Sequence, residues 1–434
     1  MRRALMLAAA TTLICGDLAA QAVPEDAQAA QVPMAYRRIP SVRVDPFRHL
    51  TIPHWGLVIA GGGVAGNNSM TFNDARALIF IADQDDLLVG DVLDALNKVP
   101  SGQGFEAGGE LEGGLYLGGP FGRRFSLGVS AQGRSYGVAT LDEGAVALLR
   151  EGNVARDSFP LGTTGAAAIG TQELGVHALV RLGPFGSPDG MVLMLAGGGR
   201  LLKPVFYYQG ASNIDSRLLA TGDSVAATIG LETYEIPGDP DFALELGNSV
   251  VGDFMVRFEW PTSGLAFEAM VANVGNVTVD NAERRTWSYQ VNSTRVQEVL
   301  DSLDSDPTTD GIQFRDLEIQ DTGSVDVDIP TIWRFSGSAW ANRILQLDVS
   351  ARLATSGQLL EYPLEVELGT TWRLLRVVPL RVGLLLGGRQ EVGFTAGLGI
   401  ETRNLFFQVA GRSVGGFVGD ARGAAGMLQL GFFF

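Results

Sequence analysis

The sequence predicts an all-β fold: an antiparallel transmembrane β-barrel of about 14 strands (12–16), preceded by a short N-terminal helical segment. Three observations carry this expectation. Apolar and polar residues alternate over segments of about ten residues, long enough to cross a bilayer at a tilt. No run of about 18 apolar residues follows the leader, so spanning helices are not indicated. Charges of both signs recur in mid-strand on the polar face, where a lumen would receive them. Composition agrees, with 46% hydrophobic and only 18% charged residues and 57 glycines, many inside the alternating segments.

The chain opens with Arg2-Arg3, an apolar stretch Ala4–Ile14 and the small-x-small triplet Ala20-Gln21-Ala22, which reads as a signal peptide cleaved near Ala22. Residues 1–22 are therefore set apart as leader. Cys15, the only cysteine, lies within it, and Ile14 is too bulky to precede a lipidated cysteine. Residues 23–100 form the next unit, an extended and helical segment that plugs the barrel or lies at its mouth. Within it, Trp55–Phe72 has strand character interrupted by glycines, whereas Asp74–Val99 has helical spacing: Leu78, Phe80 and Ile81, then Leu88, Val92, Leu93 and Leu96. Residues 101–434 form the barrel.

Its strands show the two-residue period most cleanly near the end. Val392, Phe394, Ala396, Leu398 and Ile400 alternate with Gly393, Thr395, Gly397 and Gly399. The charged candidates for the lumen face are read strand by strand: Arg134; Glu173, His177 and Arg181; Arg257 and Glu259; Arg334; Asp348 and Arg352; Glu365, Glu367 and Arg373; and Arg381. Tight connections such as Pro261–Gly264 and Thr402–Asn404 join neighbours into a meander. Trp260, Trp287, Trp333 and Trp372 fall near strand ends, as an interfacial girdle requires. Leu428, Leu430, Phe432 and Phe434 alternate to the last residue, an aromatic terminus suited to the outer-membrane barrel-assembly machinery.

The segments FSLGVSAQGRS (Phe125–Ser135) and VGFTAGLGIE (Val392–Glu401), with that terminal strand, resemble outer-membrane barrels of the fatty-acid-transporter-like group, which includes secretion-shuttle-like barrels. The resemblance implies 14 strands and an N-terminal segment near or inside the lumen. It brings no ligand-binding residue with it, and the helical stretch Leu141–Arg150 departs from it.

Other chemistry is thin. Gly61-Gly62-Gly63-Val64-Ala65-Gly66 fits a dinucleotide fingerprint, and Val418-Gly419-Asp420 echoes a flavin motif, but turn and strand residues follow Gly66 where the fingerprint needs a helix. Asp301–Asp328 is rich in carboxylates without an EF-hand's glycine and distal glutamate; it reads as a solvated loop or as a divalent-cation bridge to lipopolysaccharide. His49, His54 and His177 are scattered, with no nucleophile or metal pattern beside them, so no catalytic, cofactor or metal residue is expected. The net charge of -16 argues against nucleic acid as a partner. The function expected is passage of a small or amphipathic solute across the outer membrane. The rival is a non-conducting barrel that docks a secretion or surface-attachment partner; a third reading is a soluble flavin or nicotinamide enzyme.

Overall fold

In the computed structural model, the described residues are 45–434 apart from 52–53, 72–95, 152–157, 188–189, 213–214, 222–223, 237–245, 294–311, 322, 342–343, 356–361, 375–376, 389–391, 403 and 417–420. Twenty-one strands account for most of them. The first six are β1 (Gly56–Asn67), β2 (Phe105–Phe121), β3 (Phe125–Leu141), β4 (Ser158–Pro160), β5 (Gly165–Phe185) and β6 (Met191–Ser212). Then come β7 (Arg217–Thr221), β8 (Ser224–Glu235), β9 (Ser249–Trp260), β10 (Leu265–Val274), β11 (Val277–Asp280), β12 (Glu283–Ser293), β13 (Ile312–Asp321) and β14 (Ser324–Val327). The chain finishes with β15 (Thr331–Trp340), β16 (Leu345–Thr355), β17 (Tyr362–Leu374), β18 (Val378–Gly387), β19 (Val392–Glu401), β20 (Leu405–Val414) and β21 (Gly423–Phe433).

Fourteen of these strands close on themselves in antiparallel order: β1, β2, β3, β5, β6, β9, β10, then β15 to β21. Closure is made by β21 against β1, from Gly56 opposite Phe433 to Gly66 opposite Gly423. No backbone edge is left open around the wall, which is what a lipid environment demands. The barrel thus begins at Gly56. The boundary expected at residue 101 is corrected: Gly56–Asn67 is wall and not plug, because its backbone donors and acceptors are taken on both sides by β2 and β21.

At one end of the barrel every connection between wall strands has three to five residues, among them 122–124, 261–264 and 402–404. All long connections leave from the other end. There β5 and β6, of 21 and 22 residues, run to about twice the length a bilayer needs. Their surplus carries an additional sheet in which β8 pairs with β6, β7 and β12, β12 with β13, and β7 with β4. The β11–β14 pair sits over the mouth, placing Val277, Val279, Val327 and Ile329 against Tyr136, Ile169 and Tyr207 of the wall. Helix α1 (Glu143–Glu151) lies at the same end, where Leu141–Arg150 has helical spacing. Trp287 belongs to β12 of the outer sheet and so drops out of the expected girdle. Trp260, Trp340 and Trp372 stand beside short connections. The helical spacing over Asp74–Val99 falls mostly outside the described residues, as do the leader and residues 294–311 of the acidic stretch.

Candidate functional site: a charged lumen with an internal stopper

Along the wall strands the burial pattern is inverted relative to a soluble protein. Leu111 is 63% exposed, Val176 62% and Phe254 54%, whereas Glu173 is 2% and Asp253 0% exposed. Each pair of neighbours on a strand points to opposite faces, so the greasy set faces outward and the charged set inward. In water this outer surface would leave a continuous apolar band unburied, at roughly 25 cal/mol for every Å². Hydrocarbon removes that cost. The chain is a membrane-spanning barrel.

The interior is crowded with ion pairs. Arg200 of β6 lies between Glu173 of β5 and Asp253 of β9; it contacts Glu173 and donates two 2.8 Å bonds to Asp253. Asn273 adds the neighbouring strands. Its Oδ1 accepts from Arg200 at 2.6 Å and from Arg134 of β3 at 2.7 Å, while its Nδ2 donates to the Tyr136 hydroxyl at 3.2 Å and to the Pro330 carbonyl at 3.0 Å. Asn273 reaches this position through a left-handed backbone (φ 60) at an irregularity in the β9–β10 ladder, a conformation asparagine tolerates better than most residues. Its amide N–H donates to Asp253 at 3.0 Å, so the bulge and the ion cluster fix one another.

The remaining predicted residues take their places in the same way. Arg257 pairs with Glu259 at 2.5 Å and Glu268 at 3.3 Å, and Arg334 with Glu268 at 3.2 Å. Arg381 joins Asp348 at 2.6 Å and Glu367 at 2.7 Å, with the Thr395 hydroxyl donating to Glu367. Arg412 meets Glu365 at 2.6 Å, Arg373 meets Glu401 at 2.8 Å, and Arg352 meets Glu110 at 3.5 Å. His177, wholly buried, shares a 2.9 Å hydrogen bond with Ser130. Arg181 donates to the Thr51 carbonyl at 3.0 Å.

That last contact belongs to a feature located only loosely in the sequence. Residues Asp45–Thr51, with a 3-10 turn at Arg48–Leu50, lie inside the barrel, and Phe47, Arg48, His49 and Leu50 are buried. Asp45 pairs with Arg334 at 3.1 Å. Arg48 donates to Gln408 at 3.1 Å and Gln429 at 3.0 Å, and its guanidinium lies 5.0 Å above the Phe406 ring. Leu50 and Phe47 pack against Leu179, Met194 and Met255 of the wall. Gly118 and Gly128 leave room for this segment, since a Cβ at either position would stand under 3 Å from His49. The ring of His49 comes 6.0 Å from that of His177, joining two histidines that look unrelated in the sequence.

Above the stopper the free space is small. A cavity of about 50 Å³ is bounded by Pro46, by Glu110, Glu112, Glu365 and Glu367, and by Arg134, Arg334, Arg352 and Arg412. It has room for a few waters and for no larger solute.

Several pocket residues escape a sequence reading. Arg200 follows Gly197-Gly198-Gly199, which erases the alternation that would mark its face. Arg48 sits in a segment with no period at all. Glu268, Glu401 and Arg412 do obey the period and were readable in principle. The glycine fingerprint at residues 61–66 is strand β1, antiparallel on both sides, where a Cβ at Gly62 would stand 2.8 Å from the Gly426 carbonyl and one at Gly63 2.9 Å from that of Glu110. In the acidic stretch, Asp326 accepts from the Thr278 hydroxyl at 2.8 Å within the β11–β14 pair. No cluster of three or more metal-ligating side chains occurs among the described residues.

No protein-family model matches the sequence, and no curated protein matches it either. Among solved structures, the P. putida toluene transporter TodX superposes with a TM-score of 0.45 at 8% identity, over 91% of this chain and 93% of that one. A Pseudomonas aeruginosa FadL homologue gives 0.40 at 13% identity, over 91% and 93%, and the CymD monoaromatic hydrocarbon channel 0.41 at 8%, over 91% and 92%. The likeness is one of barrel architecture, and what this chain does must come from its own geometry.

Proposed function

We propose that this barrel resides in a bacterial outer membrane and passes a small or amphipathic solute, with Asp45–Thr51 as its internal stopper. The observation that carries this reading is how the stopper is held. It adds no strand to the wall; its anchors are side-chain contacts, namely Asp45 to Arg334 and Arg48 to Gln408 and Gln429. Such contacts break and re-form without opening the closed ladder, whereas a strand of the wall could not leave. The four acids and four arginines around the cavity balance one another, which suits a route for uncharged or dipolar solutes better than for a single ion type.

The test is conductance in planar bilayers and solute uptake into liposomes, comparing the intact barrel with a variant lacking residues 23–51. That deletion spares β1 and so leaves closure intact. Larger currents or faster uptake in the truncated form support passage; equal, negligible permeability in both overturns it. A sealed docking barrel is the second reading, favoured by the filled lumen and by the sheet of β4, β7, β8, β12 and β13 beyond the membrane. It predicts negligible permeability together with a co-purifying protein.

A further inference from the structure

The lipid face of the barrel is uneven on strands β16 to β19. Cross-strand register aligns the outward side chains there into rows. One row holds Thr370, Val382 and Ala396, opposite one another in sequence across β17, β18 and β19. Toward the long connections runs a row of larger groups, Leu368, Leu384 and Phe394; toward the short connections runs another, Trp372, Leu380 and Leu398. Successive rows are about 7 Å apart along a strand, and three inter-strand steps span about 14 Å. Thr370 and Val382, beside the taller Leu368, Leu384 and Phe394, make a trench, bordered at β16 by Leu347 and Val349, and its volume is about 470 Å³. That lies in the range of small-molecule pockets, roughly 300–1,000 Å³.

Two further observations bear on the occupant. The trench is continuous with the apolar belt, since Leu368 and Leu384 on its rim are 40% and 38% exposed, so hydrocarbon bathes it. Its row lies two residues inward from Trp372, about 5 Å deeper than the aromatic level beside the short connections at a barrel-strand tilt. That is the depth of the glycerol-ester region and first methylenes of one leaflet. Meanwhile, the Thr370 hydroxyl is buried with no hydrogen-bond partner, which costs about 1–3 kcal/mol wherever it persists. A turn about its χ1 bond carries the hydroxyl to another staggered position on the same outward-facing Cβ.

We propose that this trench is a specific seat for one phospholipid of the leaflet on the short-connection side. One acyl chain lies along Thr370 and Val382, between Leu347 and Phe394, and the Thr370 hydroxyl donates to an ester carbonyl. The seat is independent of whether the lumen conducts.

The test loads the full-length barrel, folded in detergent, with palmitoyl-oleoyl phosphatidylethanolamine and counts retained lipids by native mass spectrometry. One lipid per barrel is expected to survive activation that strips the others. Val382→Phe fills the trench from outside and is expected to cut that retention at least tenfold; Val349→Phe does the same from its β16 border, should the first variant not fold. Thr370→Val, which keeps the shape, is expected to weaken retention several-fold. Val129→Phe, on the opposite wall and 51% exposed in the parent, should change nothing. Retention undiminished in folded Val382→Phe or Val349→Phe, equal loss in Val129→Phe, or no retained lipid in the parent each overturns the proposal.

Discussion

Two arginines buried in the same lumen, Arg200 and Arg334, are held in different ways. Arg200 spends its donors on wall residues alone: Glu173 and Asp253 on the strands either side of it, and Asn273 on the next. Arg334 divides its contacts between Glu268 of the wall and Asp45 of the stopper. The first cluster therefore fastens neighbouring strands, and its loss is a loss of the barrel. The second links the wall to a segment that is covalently continuous with β1 but takes no part in the backbone ladder; on the proposed reading, its loss should free a piece of chain and leave the barrel standing. That reading divides the interior into a structural half and a releasable half, although both look alike as buried ion pairs.

The strongest way to break the comparison is Arg200→Met. Removing Arg200 leaves Asp253 charged and without its guanidinium partner and Glu173 with only the looser Arg134 pair at 3.9 Å, an effect of about 3–5 kcal/mol. Urea unfolding from lipid vesicles, followed by tryptophan fluorescence, should show this loss. The triple variant Arg200→Met, Glu173→Gln, Asp253→Asn should recover much of it, because no buried charge is then orphaned. A triple variant as weak as the single one would show that the strands depend on the ion pairs themselves.

Next comes Asp45→Asn. It removes a charged contact to Arg334, worth about 1.5–3 kcal/mol, while Glu268 still compensates the guanidinium. Unfolding of the wall should be almost unchanged, and the stopper should leave the lumen at least tenfold more often. Single-channel recordings check this as more frequent openings, with Arg48→Gln adding to the effect through Gln408 and Gln429. If Asp45→Asn destabilises the wall as much as Arg200→Met does, the two halves are not distinct.

Asn273 lies at the centre of the structural half. Asn273→Ala removes the acceptor shared by Arg134 and Arg200 and places a Cβ-branched-free but less tolerant residue in left-handed backbone. A loss of about 2 kcal/mol in the same unfolding measurement is expected, and Asn273→Gly should recover the backbone part alone.

The wall was legible in the sequence because one physical rule, alternation between lipid and lumen, acts on every residue of it. That rule brought Arg134, Glu173, Arg257, Asp348, Glu367 and Arg381 to the buried face, where each is paired. It has no purchase where a chain is not a strand. The stopper's register comes from tertiary contacts to Gln408 and Gln429, some 360 residues away, and no local spacing announces it. Arg200 and β1 were obscured for a related reason. Their glycine runs, at 197–199 and 61–63, carry no side chain to show which face is which, although the backbone there is ordinary strand.

The smallest effect expected lies outside the membrane, at the start of α1. Asp142 caps the helix: its Oδ1 accepts from the Gly144 N–H at 3.0 Å, and its Oδ2 accepts from the Thr163 N–H at 3.0 Å and hydroxyl at 2.7 Å. Burial alone would raise this carboxyl's pKa, but those hydrogen bonds outweigh it and hold the group below its ordinary value. A depressed folded-state pKa means that the stabilisation is complete above the unfolded value, near 3.9, and is lost as pH falls through the folded one. At neutral pH, Asp142→Ala should therefore cost α1 about 0.5–2 kcal/mol, read as faster amide exchange over Ala145–Arg150 with the wall unaffected. Parent and variant should converge as the pH is lowered past the carboxylate range. Protection that stays different in strong acid would mean that Asp142 acts through packing and not through its charge.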